Sequence, residues 1–301
     1  MFSRLLVPLD GSRLAESVLP VVEKLAGMVP CAIVLLHVIE KNAPNNIHGD
    51  THLCDAEEAE AYLARISGRL RAEDLRVETH VHTVPQGDIP KCIAEHAVEL
   101  EQDLIILCSH GSGGVRRFVF GSNAEQVLTH GATPVMLIQA PKHGSERSFG
   151  PERILLLVDE TPSTRPALAV AVQLAAASGA EIHLVAVVPT VRSMSAEEAA
   201  SGRLLPGAAR EMLELTAEEK TRFLREEVGK LLEIPIRAKG SLERGDTATA
   251  VVSVAKKTGA DLMILAVRGL AGLSAFWANT LTRRVAGSYD GVLLLFPAGE
   301  V

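Results

Sequence analysis

Apolar residues gather in short unbroken runs, Leu5-Leu6-Val7, Ile33–Leu36, Leu104–Leu107 and Val135–Ile138 among them. Between the runs they recur at three and four instead, as in Ala15, Val18, Leu19, Val22 and Leu25, or Ile93, Ala97 and Leu100. Unbroken runs suit strands buried on both faces, and the three-four spacing suits helices with one buried stripe. Strands alternating with helices require right-handed crossovers and a parallel sheet covered on both sides.

The pattern occurs twice. Arg4-Leu-Leu-Val-Pro-Leu-Asp10 aligns with Arg153-Ile-Leu-Leu-Leu-Val-Asp159, and Ile33–Val38 with Ile182–Val187, both at an offset of 149. Gly87-Asp88 aligns with Gly245-Asp246, Asp103-Leu-Ile-Ile-Leu with Asp261-Leu-Met-Ile-Leu, and Gly111 with Gly269, at an offset of 158. The second copy has therefore gained nine residues between its second and third strands. Closing runs Val135–Ile138 and Val292–Phe296 end the copies, and Pro141–Pro151 is rich in breakers. The expected organisation is α/β: two tandem doubly wound, Rossmann-like domains over 1–140 and 152–301 joined by a linker over 141–151, each with a five-stranded parallel sheet.

Composition narrows the function classes. Hydrophobic residues make up 47% and charged residues 22%, the globular range. Net charge is −7; residues 1–148 hold 13 basic against 19 acidic side chains, leaving 17 against 18, so nucleic acid is a poor partner for either half. The opening MFSRLLVPLDGS lacks the apolar core of a secretory signal, and no run suits a bilayer span. Cys31, Cys54, Cys92 and Cys108 show no CxxC spacing. A cytoplasmic protein with reduced thiols and no membrane partner is expected.

In doubly wound sheets, ligands bind outside the carboxyl ends of the strands, where strand order reverses. After Leu104–Leu107 comes Cys108-Ser-His-Gly111-Ser-Gly-Gly-Val-Arg-Arg-Phe-Val-Phe-Gly121-Ser122-Asn123, then Ala124-Glu-Gln-Val-Leu128 in helical register. Glycines let phosphate oxygens approach backbone amides, and Ser122 stands where a helix N-cap would, at a terminus suited to anions. Arg116 and Arg117 add positive charge. GxxxxGK[ST] does not occur, which excludes a P-loop NTPase on motif grounds.

The arrangement resembles the universal stress protein family, whose loop runs Gly, two residues, Gly, nine residues, then Gly-Ser or Gly-Thr. Here it reads Cys108, two residues, Gly111, nine residues, Gly121-Ser122. Leu6-Val-Pro-Leu-Asp-Gly-Ser12 resembles the family's first strand and turn. The resemblance implies an ATP site, with magnesium, in which Pro8, Leu9, Asp10 and the Val38 backbone face adenine and ribose, while His110, Gly111, Gly121, Ser122 and Asn123 face the phosphates. Cys108 replaces the first glycine, which would be penalised if positive φ were required there. In the second copy Asp159, Val187, Ala266, Arg268, Gly269, Asn279 and Thr280 take the corresponding places, and Leu157 replaces Pro8. The second copy departs further from the family loop. The resemblance also implies that Val135–Ile138 and Val292–Phe296 pair as an intramolecular pseudo-dimer, with dimerisation of whole chains left open.

Simpler readings stand beside these. Asp10 could merely start a turn with Gly11 and Ser12. His37, inside the second strand, reads as a satisfied core residue, and Cys108 as small packing. His48, His52 and Cys54 have spacing a metal could use, but neighbouring Asn, Gly and Asp residues read as a surface loop, so no metal ligands are assigned to protein side chains. Met194–Arg225, acidic and helix-prone with Gly202 and Pro206-Gly207 in its middle, reads as two surface helices around a loop. Without a visible carboxylate pair or nucleophile triad, His110 is not read as a general base and catalytic residues are not assigned. Three functions remain: an ATP-binding stress sensor or regulator, a slow ATP hydrolase on the same site, or an interaction module with vestigial sites.

Overall fold

The computed structural model describes residues 2–41, 46–47, 50–109, 122–139, 149–159, 164–191, 193, 206–267 and 281–297. They fall into two units. One runs to Gly150 and takes in Val292–Pro297; the other runs from Pro151, without that last strand.

In the first unit the strands are β1 (Arg4–Pro8), β2 (Ala32–Glu40), the short β3 (Asn46–Ile47) and β4 (Asp50–Thr51), β5 (Arg76–Gln86), β6 (Leu104–Ser109) and β7 (Val135–Gln139). The main strands lie in the order β7-β6-β1-β2-β5, all parallel. Chain order thus reverses between β1 and β6. β7 is buried throughout and β1 at its three central positions, the burial on both faces that unbroken apolar runs anticipate. β5 is an edge strand with a mostly exposed polar sequence, Arg-Val-Glu-Thr-His-Val-His, and it carries no apolar run. Val292–Pro297, the closing strand of the second copy, pairs antiparallel with β7, Leu293 opposite Leu137 and Leu295 opposite Val135.

Polar side chains fix the ends of these elements. Asp103 accepts hydrogen bonds from the Ser3 amide (2.7 Å), the Ser3 hydroxyl (2.8 Å) and the Arg4 amide (3.1 Å), tying the start of β6 to the start of β1. Asp88 caps the helix Ile89–Glu99 by accepting from the Lys91 amide, with Pro90 in the first turn.

In the second unit β8 (Arg153–Leu157), β9 (Glu181–Val188), β10 (Arg237–Arg244) and β11 (Leu262–Val267) lie in the order β11-β8-β9-β10, again parallel. Asp261 repeats the clamp, accepting from the amides of Glu152 (2.9 Å) and Arg153 (3.3 Å). Of the expected pair of surface helices, the second is the 27-residue helix Pro206–Leu232, and the first falls on 194–205, outside the described residues. Proline at a first helical position lacks only an amide that would have no intrahelical partner, so Pro206 can open this helix. Its apolar positions are not merely solvated, since Leu213 and Ala217 cluster with Val188 and Leu242. Residues 194–205 lie outside the described residues, as do 141–148 of the expected linker, within which Phe149 is buried. Among the described residues no helix is long and apolar enough to cross a membrane.

Candidate functional site

The reversal between β1 and β6 opens a cavity of about 420 Å³. Pro8, Leu9 and Asp10 at the end of β1, Val38 and Glu40 at the end of β2, and Leu107 and Cys108 late in β6 line it. A further wall comes from Gly87, Asp88, Ile89, Pro90 and Ile93, where β5 turns into the next helix. Such volumes and mixed linings are ordinary for small-molecule sites, about 300–1,000 Å³.

Asp10 is held by the turn that follows it. Its Oδ1 accepts from the Ser12 amide (2.9 Å) and the Ser12 hydroxyl (2.6 Å), while Ser12 Oγ accepts from the Ala15 amide (3.1 Å) and caps the helix Arg13–Glu16. Turn-former and cavity wall are therefore one residue. Both bonds engage Oδ1, so Oδ2 retains acceptor capacity. Gly11 adopts φ +90°, and a Cβ there would lie 2.8 Å from Leu53 Cγ. Only glycine meets both conditions without strain.

His37 is buried, with Nδ1 2.7 Å from the Leu9 carbonyl and Nε2 3.3 Å from the Leu53 carbonyl. Burial pushes its pKa down, which favours a neutral ring donating from Nδ1 to the closer carbonyl. It is a core residue that also steadies the β1 wall.

Cys108 lies within β6, and among the described residues only Asp74 and Glu101 show positive φ outside glycine. Position 108 thus has no conformational need for the glycine it replaces. Burial is the main influence raising the thiol pKa, opposed by the hydrogen bond with Ser17. All four cysteines are free.

The remaining expected residues divide. His110, Gly111 and Gly121 lie outside the described residues, as do Arg116, Arg117 and His48. Ser122 and Asn123 open the helix Ser122–His130, whose Ala124 and Gln126 reach the cavity, but their own side chains are not described. In the second unit Arg268, Gly269, Asn279 and Thr280 lie outside the described residues. Val187 is buried on β9 and Ala266 half-buried on β11. Asp159 Oδ1 accepts from the Thr164 hydroxyl (2.8 Å), and Thr164 Oγ1 accepts from the Asp159 amide (3.3 Å). His52 is buried with Nε2 3.9 Å from Glu40, whereas Cys54 is exposed.

Gly87 and Asp88 stand out in the sequence as repeat markers, yet nothing there marks them as cavity wall. Glu40 carries no signal at all, and His52 stands out only through its spacing with His48 and Cys54. Parallel pairing of β2 with β5, which ends with Glu40 opposite Gln86, brings the Gly87 turn alongside the end of β2.

The sequence model of the universal stress protein family matches this chain twice, over residues 1–139 and 151–291. The chain belongs to the universal stress protein family. A universal stress protein of Synechocystis sp. is 28% identical over 138 residues, covering 46% of this chain and 86% of its own. One of Methanocaldococcus jannaschii is 23% identical over 147 residues, covering 47% and 85%. Among solved structures, a universal stress protein of Archaeoglobus fulgidus superposes with a TM-score of 0.70 at 18% identity, covering 98% of each chain. A functionally unknown protein of Pseudomonas aeruginosa gives 0.65 at 17%, covering 98% of this chain and 92% of its own. This universal stress protein therefore carries two copies of the family domain in a Rossmann-like fold.

Proposed function

We propose that this universal stress protein binds ATP in the first repeat and acts in the cytoplasm as a stress-response sensor or regulator, changing conformation or partner affinity with occupancy. The observation that carries the reading is convergence: Pro8, Leu9, Asp10, Val38 and Cys108, separated by as many as 100 positions, line one cavity at the strand-order reversal. In this reading Asp10 Oδ2 accepts from a ribose hydroxyl and Val38 presents its backbone to adenine. His110, Gly111, Gly121, Ser122 and Asn123 take the phosphates.

Charge supports magnesium as the companion ion. The described lining contains three carboxylates, Asp10, Glu40 and Asp88, and among the described residues no Lys or Arg. A polyphosphate beside three carboxylates needs a cation to offset the repulsion. Magnesium and the loop arginines Arg116 and Arg117 are the available sources.

The second repeat takes a structural or regulatory part, since Leu157 replaces Pro8 and Asn279-Thr280 stand where Gly121-Ser122 do. If it binds nucleotide, Asp159, Val187, Ala266, Arg268, Gly269, Asn279 and Thr280 form the corresponding set. Pairing of Val292–Pro297 with β7 supports a pseudo-dimer of the two repeats within the chain, and it covers a strand edge that would otherwise invite association. Light scattering tests whether whole chains dimerise as well.

Mass spectrometry of small molecules released on denaturation, together with calorimetric titration by ATP and magnesium, tests the nucleotide reading. One equivalent of adenine nucleotide per chain is expected, with a rise in Tm on addition. Two equivalents would overturn the demotion of the second repeat. No nucleotide and no shift in Tm would overturn the reading in favour of vestigial sites. Sustained hydrolysis above background that Asp10→Ala abolishes would replace the sensor with an enzyme.

A further inference from the structure

We propose that His82, Cys92 and His96 form a binding site for one zinc-class transition-metal ion, on the strand–turn–helix unit that walls the cavity. One donor atom from each residue lies within 4.8 Å of the other two. His82 stands on β5, and Cys92 and His96 are four apart on the helix Ile89–Glu99, so they share one helix face. Cys92 and His96 are buried and His82 is half-buried.

The distances suit a tetrahedral ion. His82 Nδ1 and His96 Nε2 are 3.2 Å apart. Two imidazole nitrogens on one zinc, each at about 2.0–2.1 Å, lie about 3.3 Å apart, and a nitrogen–sulfur edge measures about 3.6 Å. With every donor pair within 4.8 Å, seating the ion asks the sulfur–nitrogen distances to close by at most about 1.2 Å. Three protein ligands leave the fourth position to water.

The surrounding groups are arranged as metal-bound histidines require. With Nε2 on the ion, His96 must carry its proton on Nδ1. That atom is buried without a hydrogen-bond partner and lies 3.7 Å from Glu99 Oε2, a carboxylate placed to accept it. With Nδ1 on the ion, His82 must carry its proton on Nε2, which lies 2.9 Å from the Gln86 side-chain amide. Turning that amide over offers its oxygen as acceptor. A seated ion thereby fixes the His96 proton on the nitrogen that faces Glu99. Imidazole and thiolate donors select zinc-class ions over magnesium or calcium. Binding displaces the Cys92 proton to solvent, since burial pushes that thiol up to about 11.

His82 and His96 lie on either side of the Gly87–Asp88 turn, and Ile89, Pro90 and Ile93 of the same helix line the cavity. A bound ion therefore staples that wall. It involves no nucleotide ligand, so its test stands apart from the ATP reading.

The full-length protein, reduced and stripped with chelator, is titrated with Co²⁺ under anaerobic conditions. A thiolate-to-cobalt charge-transfer band is expected that saturates at one equivalent per chain and disappears when Zn²⁺ displaces the cobalt. Cys92→Ser is expected to abolish the band with far-UV circular dichroism unchanged. His82→Gln is expected to weaken zinc binding at least tenfold in competition with a chromophoric chelator. Absence of the band in the parent protein, or its persistence in Cys92→Ser, would overturn the site. If Cys92→Ser fails to fold, unchanged zinc affinity in His82→Gln overturns it equally.

Discussion

The Cys108 sulfur lies 3.2 Å from the Ser17 hydroxyl oxygen, joining the end of β6 to the turn between the helices Arg13–Glu16 and Leu19–Met28. Cys108 lines the cavity itself, and Ser17 follows a helix whose Leu14 and Ala15 line it. Because burial raises the thiol pKa, Cys108 is expected to react slowly with iodoacetamide at pH 7. Peptide mapping after a timed pulse should show Cys54, the exposed thiol, alkylated well before Cys108. ATP with magnesium should slow Cys108 further; equal rates with and without nucleotide would place the ligand elsewhere.

Asp10 serves a turn and a cavity at once, and two substitutions separate the roles. Asp10→Asn keeps an acceptor oxygen for Ser12 and is expected to leave urea stability within about 0.5 kcal/mol. Asp10→Ala removes it and is expected to cost about 1–2 kcal/mol. For ATP, calorimetry should show a loss of at least tenfold in the Ala variant and a smaller loss in the Asn variant. Lowered stability with unchanged affinity in Asp10→Ala would make Asp10 a turn residue alone.

Gly11→Ala combines two penalties, positive φ and contact with Leu53. A loss of about 1–3 kcal/mol is expected by urea denaturation. Leu53→Ala in the same chain should recover the contact part but not the backbone part. A double-mutant cycle with no coupling would show that Leu53 moves aside freely.

Repetition made much of the fold legible from sequence. Asp103 and Asp261 stand out as matched positions, and each clamps the start of the first strand of its own copy. Buried strands such as β6 and β11 declare themselves because both faces demand apolar side chains. β5 does not, because an edge strand has little apolar surface to hide, and its histidines carry no periodic signal. The Gly87–Pro90 wall was hidden for a related reason, since it reaches the cavity only through the register of β2 with β5. His82, Cys92 and His96 were equally hidden, because a strand, a turn and a helix must form before their spacing becomes a distance. Pro206 reads as loop in the sequence and opens a helix in the structure, since its missing amide would have no intrahelical partner there.

Acid should expose a contribution specific to the second unit. Arg284 donates to Asp246 through both terminal nitrogens, Nη1 to Oδ2 at 2.7 Å, and this pairing is the first cause holding the carboxyl well below the usual range. Asp246 also caps the helix Thr247–Thr258 through the Thr249 amide (3.0 Å). Near pH 4, about the value of a carboxyl in the unfolded chain, the unfolded state takes up a proton that the folded state still refuses. The stabilisation is therefore fully present above that pH and is lost as pH falls through the lower folded value. Both side chains are more than a third exposed, at 39% and 48%, so solvent screening keeps the pair to about 0.5–1 kcal/mol. Arg284→Ala should lower urea stability by that amount at pH 7, and the gap from the parent should narrow steadily on acidification below pH 4. A gap that stays constant down to the acid unfolding transition would mean that Arg284 acts through packing of its side chain and not through the charge on Asp246.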